Sequence, residues 1–293
     1  MLSVQNVTKT IDNKTVLKDI TFTIPPGSIT GLLGRNGVGK TTLMRTMIGI
    51  LDPEEGRVLV DDVDIHQQPS IKQTIMFVPD SPTVIEKYKV KELVTLYKAI
   101  YEKFDEAYFY ELIGRFSLHE QKISRYSKGM KALLHIILAF STKATYILLD
   151  EPTNGLDPII KKQILQFMIE EVSERELSLL ISTHHLEEIE KIADTVIMLN
   201  NGQMEGITSL EDMKGNYVKV HAIFERSFPQ KLEALSNVTI LEQIGRVHTV
   251  LIKGNVEETL HKFRQETPIF LEEIPTTLED VFVHSLGGKK DVS

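Results

Sequence analysis

The sequence predicts an α/β protein. A mainly parallel core sheet is covered by helices, an antiparallel strand pair precedes it, a helical insert interrupts it and a small α+β domain follows. Three observations carry that expectation. Two runs that alternate apolar and polar open the chain, short unbroken apolar runs then recur between longer helical patterns, and one long segment holds apolar residues at helical spacing only.

Residues 2–8 and 16–24 alternate as half-buried strands do, and the polar turn Asp12-Asn13-Lys14 joins them antiparallel. Pro25-Pro26-Gly27 ends the pattern. Residues 29–33, 75–78, 146–149, 177–182 and 196–199 are apolar without alternation, which suits strands covered on both faces. From about residue 81 to 140 the spacing is helical, as in VKELVTLYKAIYEKF, and the segment is expected to be a helical insert. Asn200-Asn201-Gly202 signals a turn, and Lys214-Gly215-Asn216 marks the expected boundary between a first domain, 1–215, and a small accessory domain, 216–293. In that accessory domain, strands are expected at 217–224 and 247–252 and a helix at 256–263.

A chain of 293 residues, 42% apolar, can build one large and one small core. Its net charge of -8, with lysine and arginine spread along the chain, argues against a nucleic-acid surface or a general membrane-surface binder. The absence of cysteine excludes disulfides and zinc–cysteine sites and agrees with a cytoplasmic location. The opening MLSVQNVTKT lacks the basic start and apolar core of a secretion signal, and the longest apolar run, LLHIILAF at 133–140, falls far short of the roughly 20 residues a spanning helix needs. A chain that crosses no membrane by itself is expected.

Residues 34–42 read GRNGVGKTT and match G-x-x-x-x-G-K-[ST] between an expected strand and an expected helix. Without side chains, glycines let successive N–H groups turn inward around phosphate oxygens, and a helix N-terminus adds positive potential at the same place. Gly34, Asn36, Gly37, Gly39, Lys40, Thr41 and Thr42 are therefore the nucleotide-binding candidates. Lys40 would reach the β- and γ-phosphates, and the Thr41 hydroxyl would ligate Mg²⁺. A glycine-rich turn with no ligand is the plainer alternative, and the full pattern in its strand-to-helix setting weighs against it.

The run YILLDE at 146–151 ends a buried strand in two acids, where a ligand crevice is expected. Asp150 would complete the Mg²⁺ shell and Glu151 would polarise an attacking water; the alternative is a pair of acids emerging into solvent.

The stretch continues as DEPTNGLDP, ISTHHLEEIE follows about thirty residues later, and RYSKGMKALLHI lies upstream. With the phosphate loop, this order and spacing resemble the ATP-binding subunit of ABC transporters over roughly residues 1–215. The resemblance implies a P-loop NTPase of ABC type, an ATPase using ATP and Mg²⁺. It implies that Ser127 and Gly129, in Tyr126-Ser127-Lys128-Gly129-Met130 where the family has its LSGGQ signature, meet the γ-phosphate of ATP held by a second protomer. The resemblance thus implies a homodimer or a heterodimer with a related ATPase. Asn154-Gly155-Leu156-Asp157 resembles the loop that runs between the two sites. His184 matches the switch histidine that contacts the γ-phosphate and steadies the water beside Glu151; a surface histidine is the bland alternative, expected for His185. Ser127 can also be no more than the N-cap of a helix.

The same resemblance implies a separate integral membrane subunit, docked between the Asp80 loop and the helical insert near Val84 and Tyr88, which places the chain at the cytoplasmic face of the membrane. The ending TTLEDVFVHSLGG looks like that of ATPase subunits of ABC-2 type exporters of peptides or other amphipathic compounds. It can equally be an amphipathic helix with Leu278, Val281, Phe282 and Leu286 on one face.

Three departures stand out. Asp80 replaces the family's glutamine and is expected to sense nucleotide through Mg²⁺ or a bridging water. Ile11 stands near the family's adenine-stacking aromatic and offers only dispersion contact. The signature carries Tyr126, Lys128 and Met130 in place of leucine, glycine and glutamine; Lys128 can lie near the second protomer's phosphate or point to solvent. Alternative functions are a soluble ABC-type ATPase and a non-hydrolysing, nucleotide-sensing regulatory subunit.

Overall fold

The computed structural model describes residues 1–80 and 86–285. Strands β1 (Leu2–Ile11) and β2 (Lys14–Ile24) pair antiparallel through a two-residue turn. Both turn residues are left-handed, Asp12 at φ 49 and Asn13 at φ 61, which is the twist a tight hairpin needs and which these two residue types tolerate. After β3 (Ile29–Leu33) and α1 (Lys40–Met47), β4 (Glu55–Val60) and β5 (Val63–Asp64) complete a four-stranded antiparallel sheet ordered β2-β1-β4-β5. Neither β4 nor β5 was expected: the first half of β4, Glu-Gly-Arg, is exposed and carries no apolar alternation.

The core sheet adds β6 (Ile75–Val78), β7 (Tyr146–Asp150), β8 (Ser178–Thr183), β9 (Thr195–Asn200) and β10 (Gln203–Ser209). Its order is β10-β9-β3-β8-β7-β6, and β9, β3, β8, β7 and β6 run parallel. Every residue of β3, β7 and β8 is buried, which is why these strands read as unbroken apolar runs. Leu32, Leu43, Met44, Leu148 and Leu180 join Val4, Leu17 and Ile20 of the antiparallel sheet in one core.

Among the described residues the insert holds α2 (Val90–Ile100), α3 (Glu106–Arg115) and α4 (Lys128–Ser141), with one isolated bridge between Lys89 and Lys122. Helix α5 (Pro158–Arg175) follows β7, and the short α6 (Leu186–Ile189) follows β8.

The chain divides into two compact units, residues 1–185 with 192–204, and residues 186–191 with 205–293. Lys214-Gly215-Asn216 lies inside α7 (Leu210–Asn216) rather than in a turn, because Ser209 caps that helix by accepting from the Asp212 N–H and Glu211 and Asp212 occupy its first turn.

The second unit contains β11 (Tyr217–Ile223), α8 (Gln230–Glu233), β12 (Val238–Ile244), β13 (Val247–Lys253), α9 (Val256–Gln265), β14 (Phe270–Ile274) and α10 (Leu278–Ser285). Its antiparallel sheet is ordered β12-β13-β11-β14, over a core of Val220, Phe224, Val250, Ile252, Leu260 and Phe263. The unexpected strands β12 and β14 are the two edges, whose exposed residues blur alternation. On α10, Leu278 and Val281 are buried and Phe282 half-buried; Leu286, expected on the same face, lies outside the described residues, as does Val84.

Candidate active site

The loop from β3 to α1 uses its glycines for three different reasons. A Cβ on Gly34 would stand 2.5 Å from the Leu199 carbonyl oxygen and 2.8 Å from Val38 Cγ2, so this position must be bare for the loop to lie against β9. Gly39, at φ 112, would press a Cβ to 2.9 Å from Leu17 Cδ2 and 3.2 Å from the Val16 carbonyl oxygen. Gly37, at φ 81, has nothing within 4 Å of where its Cβ would be: the room is left open for a ligand.

Lys40, the first residue of α1, is 6% exposed, and its ammonium donates to the Gly34 carbonyl at 2.7 Å. It also stands 3.3 Å from Glu151 Oε1. Its neighbour Thr41 donates from Oγ1 to Asp150 Oδ2 at 2.7 Å, and the Ser182 hydroxyl donates to Asp150 Oδ1. Asp150 is 3% exposed, so two hydroxyls replace the water its charge has lost.

Glu151 follows β7 in a left-handed conformation at φ 48, which costs a non-glycine residue about 1 kcal/mol. Its N–H is held by the Ser182 carbonyl at 3.0 Å. The turn aims its carboxylate between two nitrogens, Lys40 on one oxygen and His184 Nδ1 at 3.0 Å on the other. His184 follows β8 directly, and its ring lies 4.1 Å from that of His185. His185 itself is half-buried, not the surface residue expected, and its N–H donates to Thr183 Oγ1 at 3.0 Å.

These groups line or adjoin a cleft of about 330 Å³. Asn36, Gly37, Gly39, Lys40, Thr41 and Thr42 of the phosphate loop line it, together with Asp80, Asp150, Glu151 and Asn154. Gly34 lies beneath, presenting its carbonyl to Lys40. Ile11 is not brought to the cleft: it sits 37% exposed beside the hairpin turn, paired with Lys14, and Val16 lines the cleft instead. The physical reason is that β1 and β2 run on to a two-residue turn, which carries Ile11 to the tip. Ser127 accepts from the Met130 N–H at 3.2 Å as the N-cap of α4, and Gly129 is buried where a Cβ would meet Ile160 Cδ1 at 2.5 Å. Neither lines the cleft.

Sequence reasoning missed Ser182 and Val16 as parts of the site, and gave Asn154 only to the loop between two sites, whereas it lines this cleft. The parallel register pairs Asp150 with Ser182, a relation that the quoted segments contain but do not reveal without the pairing. Chemically, the cleft offers a cradle left open at Gly37, a buried ammonium, hard oxygen donors on Thr41 and Asp150, and a carboxylate steadied by a histidine. No cluster of three or more metal-binding side chains occurs among the described residues. A divalent cation here would thus lean on the oxygens of a bound phosphate, as Mg²⁺ does in nucleotide sites.

Comparison with known proteins gives the same direction. A family model described as ABC transporter matches residues 17–154. The ABC transporter ATP-binding protein YtrB of Bacillus subtilis (strain 168) is 38% identical over 99% of this chain and 99% of its own length. The bacitracin transport ATP-binding protein BcrA of Enterococcus faecalis is 29% identical over 98% of this chain and 97% of its own. Among solved structures, that of an ATP binding subunit of an ABC transporter superposes with a TM-score of 0.66 at 27% identity, covering 73% of this chain and 92% of that one. Among the described residues no helix is long and apolar enough to cross a membrane.

Proposed function

The chain belongs to the family of ABC transporter ATP-binding proteins, ATPases coupled to transport, and from that premise we propose that two copies, or one copy and a close relative, clamp two ATP molecules and so drive a separate membrane subunit of an exporter. The observation that carries this reading is the position of Glu151, held between Lys40 at 3.3 Å and His184 at 3.0 Å beside the open phosphate cradle.

ATP lies with its triphosphate along the loop N–H groups, and Lys40 exchanges the Glu151 carboxylate for phosphate oxygens. Glu151 is then free to accept a proton from a water that His184 keeps in place. Thr41 and Asp150 are the oxygen donors that would hold Mg²⁺, which would supply positive charge against the phosphate oxygens. Asp80, on the cleft wall, reports nucleotide to the partner. Ser127 and Gly129 stand at the N-terminus of α4 and do not line this cleft, and that end of the helix is available to the γ-phosphate of a second protomer. ATP thus joins two surfaces that a single chain does not bring together, and hydrolysis separates them.

The partner is an integral membrane chain at the cytoplasmic face of the membrane, and Tyr88, 39% exposed at the start of the helical insert, is a contact for it. Similarity to BcrA over nearly the whole chain supports an exporter of peptides or other amphipathic compounds. The accessory unit is proposed to support closure of the pair.

Mg-ATP hydrolysis and size-exclusion behaviour of the wild type beside Glu151→Gln test the reading. We expect the variant to lose turnover by about 10²-fold or more and to accumulate as a dimer only with ATP. Failure of Glu151→Gln to associate with ATP would overturn the clamp and favour a nucleotide-sensing regulatory subunit or a soluble ATPase.

A further inference from the structure

The sheet of the second unit has two faces with different surroundings. Val220, Val250 and Ile252 point into the core shared with α9, so the residues that alternate with them on β11 and β13 point the other way. One end of that second face is covered. Helix α10 packs on β12 and β13, Lys219 pairs with Asp280 of α10 at 2.6 Å, and Leu251 is buried.

The other end is bare. Strand register sets Ile244, Val247, Ile223 and Phe270 side by side in one row across β12, β13, β11 and β14. The outer two, Ile244 and Phe270, are 68% and 42% exposed, and the inner two are half-buried. A contiguous apolar row open to water marks an interaction surface, unlike apolar residues exposed singly.

The charges beside the row identify what covers it. Two residues inward, the next row holds Glu242, opposite Thr249, and Glu272, opposite His221. On the outward side, Gly245, at φ 59, and Arg246 make the two-residue turn between β12 and β13. Glu242 and Arg246 are both exposed. A two-fold axis laid along the row turns a second copy over, so that its Glu242 meets Arg246 of the first copy and its Arg246 meets Glu242, while each apolar residue lies on its own counterpart. An axis across the row would instead set acid on acid.

We propose that this face is the contact between the accessory units of two copies of the chain, arranged about a two-fold axis parallel to the row. Four strands spaced about 4.8 Å apart give a patch about 14 Å across, far smaller than the roughly 800 Å² per partner of a stable dimer. The contact is therefore weak alone and adds to whatever else pairs the copies. It goes beyond the ATP clamp and needs no nucleotide.

Because the chain has no cysteine, single introduced cysteines can report the contact. In the full chain without nucleotide, Ile244→Cys treated with a short bismaleimide is expected to give several-fold more dimer than Glu233→Cys, a control on α8, which packs on the opposite face. Phe270→Cys is expected to behave as Ile244→Cys does, and it replaces that variant if Ile244→Cys lowers the melting temperature. In the Ile244→Cys background at low ionic strength, Arg246→Glu or Glu242→Arg alone is expected to weaken association by about two- to twentyfold, the range for two exposed pairs converted at tenfold per 1.4 kcal/mol. The two changes together are expected to restore it. A yield at Ile244→Cys no higher than the control would overturn the proposal and leave the face to a different partner. Single reversals without effect, or a double reversal no better than either single, would overturn it as well. So would a mixture of Ile244→Cys and Phe270→Cys that cross-links better than either alone, since the axis would then cross the row. Dimer formation by Glu151→Gln with ATP is read separately, so the clamp and this contact can fail independently.

Discussion

Asp150 and Ser182 sit opposite each other on β7 and β8, and that register brings the Ser182 hydroxyl to the buried carboxylate, which also accepts from Thr41. Glu151, one residue on, turns left-handed and is thereby separated from its neighbour's task. The two acids look equivalent in YILLDE, yet one accepts from two hydroxyls and the other faces the nitrogens of Lys40 and His184. At the same scale, among the described residues that line the cleft Val16 is the apolar side chain and none is aromatic. Base stacking on an aromatic ring is worth about 1–3 kcal/mol, and a valine provides only dispersion contact that serves adenine and guanine alike. We expect KM values for Mg-ATP and Mg-GTP within about tenfold of each other. Competition assays with both nucleotides check this, and a preference of a hundredfold would show a base-reading contact that the cleft wall does not display.

Helix α4 begins at the Ser127 cap and carries His135 into the interior, 8% exposed. Burial, helped by the charge of Lys131 and opposed by that of Glu86, lowers the imidazole to about 4 from its ordinary 6.5. The unfolded chain therefore takes up a proton at His135 between those values and the folded chain does not. The contribution is complete above about pH 6.5 and is lost as the pH falls towards 4, by about 3 kcal/mol. Urea denaturation at pH 7.5 and 4.5 should show a wild-type loss that His135→Leu reduces by about that amount; equal losses would mean the imidazole protonates freely in the fold. The opposite end of the insert is tied down by α3 and α5. The Tyr108 hydroxyl donates to Glu171, while the Arg175 guanidinium lies 3.7 Å over the Tyr108 ring and 3.1 Å from Glu171. Burial raises the Glu171 carboxyl, so its contribution is present at low pH and declines as the pH rises, the reverse of His135.

At the scale of the molecule, the two compact units have cores with no residue in common, one around Leu32, Leu43 and Leu180 and the other around Val220, Val250 and Phe263. The phosphate loop belongs to the first unit. Calorimetry is expected to resolve two unfolding components. Mg-ATP at a hundred times its Kd should stabilise one of them by about 2.7 kcal/mol. Phe263→Ala should lower the other by about 3–5 kcal/mol. A single transition that responds to both would mean that the units unfold as one.

The sequence by itself determined the phosphate loop, the acids that end β7, the histidine after β8 and the buried parallel strands, because each depends on a local pattern: glycine spacing before a helix, or an apolar run long enough for one strand. It also located the cap of α4, where Ser127 precedes an apolar helix. Only the tertiary structure decided which residues meet. It replaced Ile11 with Val16 by extending a hairpin, joined Ser182 to Asp150 through strand register, and set Ile244, Val247, Ile223 and Phe270 in one row across four strands. It also added β4, β12 and β14, whose exposed positions carry no alternation, and made a helix of the turn-like Lys214-Gly215-Asn216. Such features arise from pairing between segments far apart in the chain, and the free energy that selects them appears only when those segments pack.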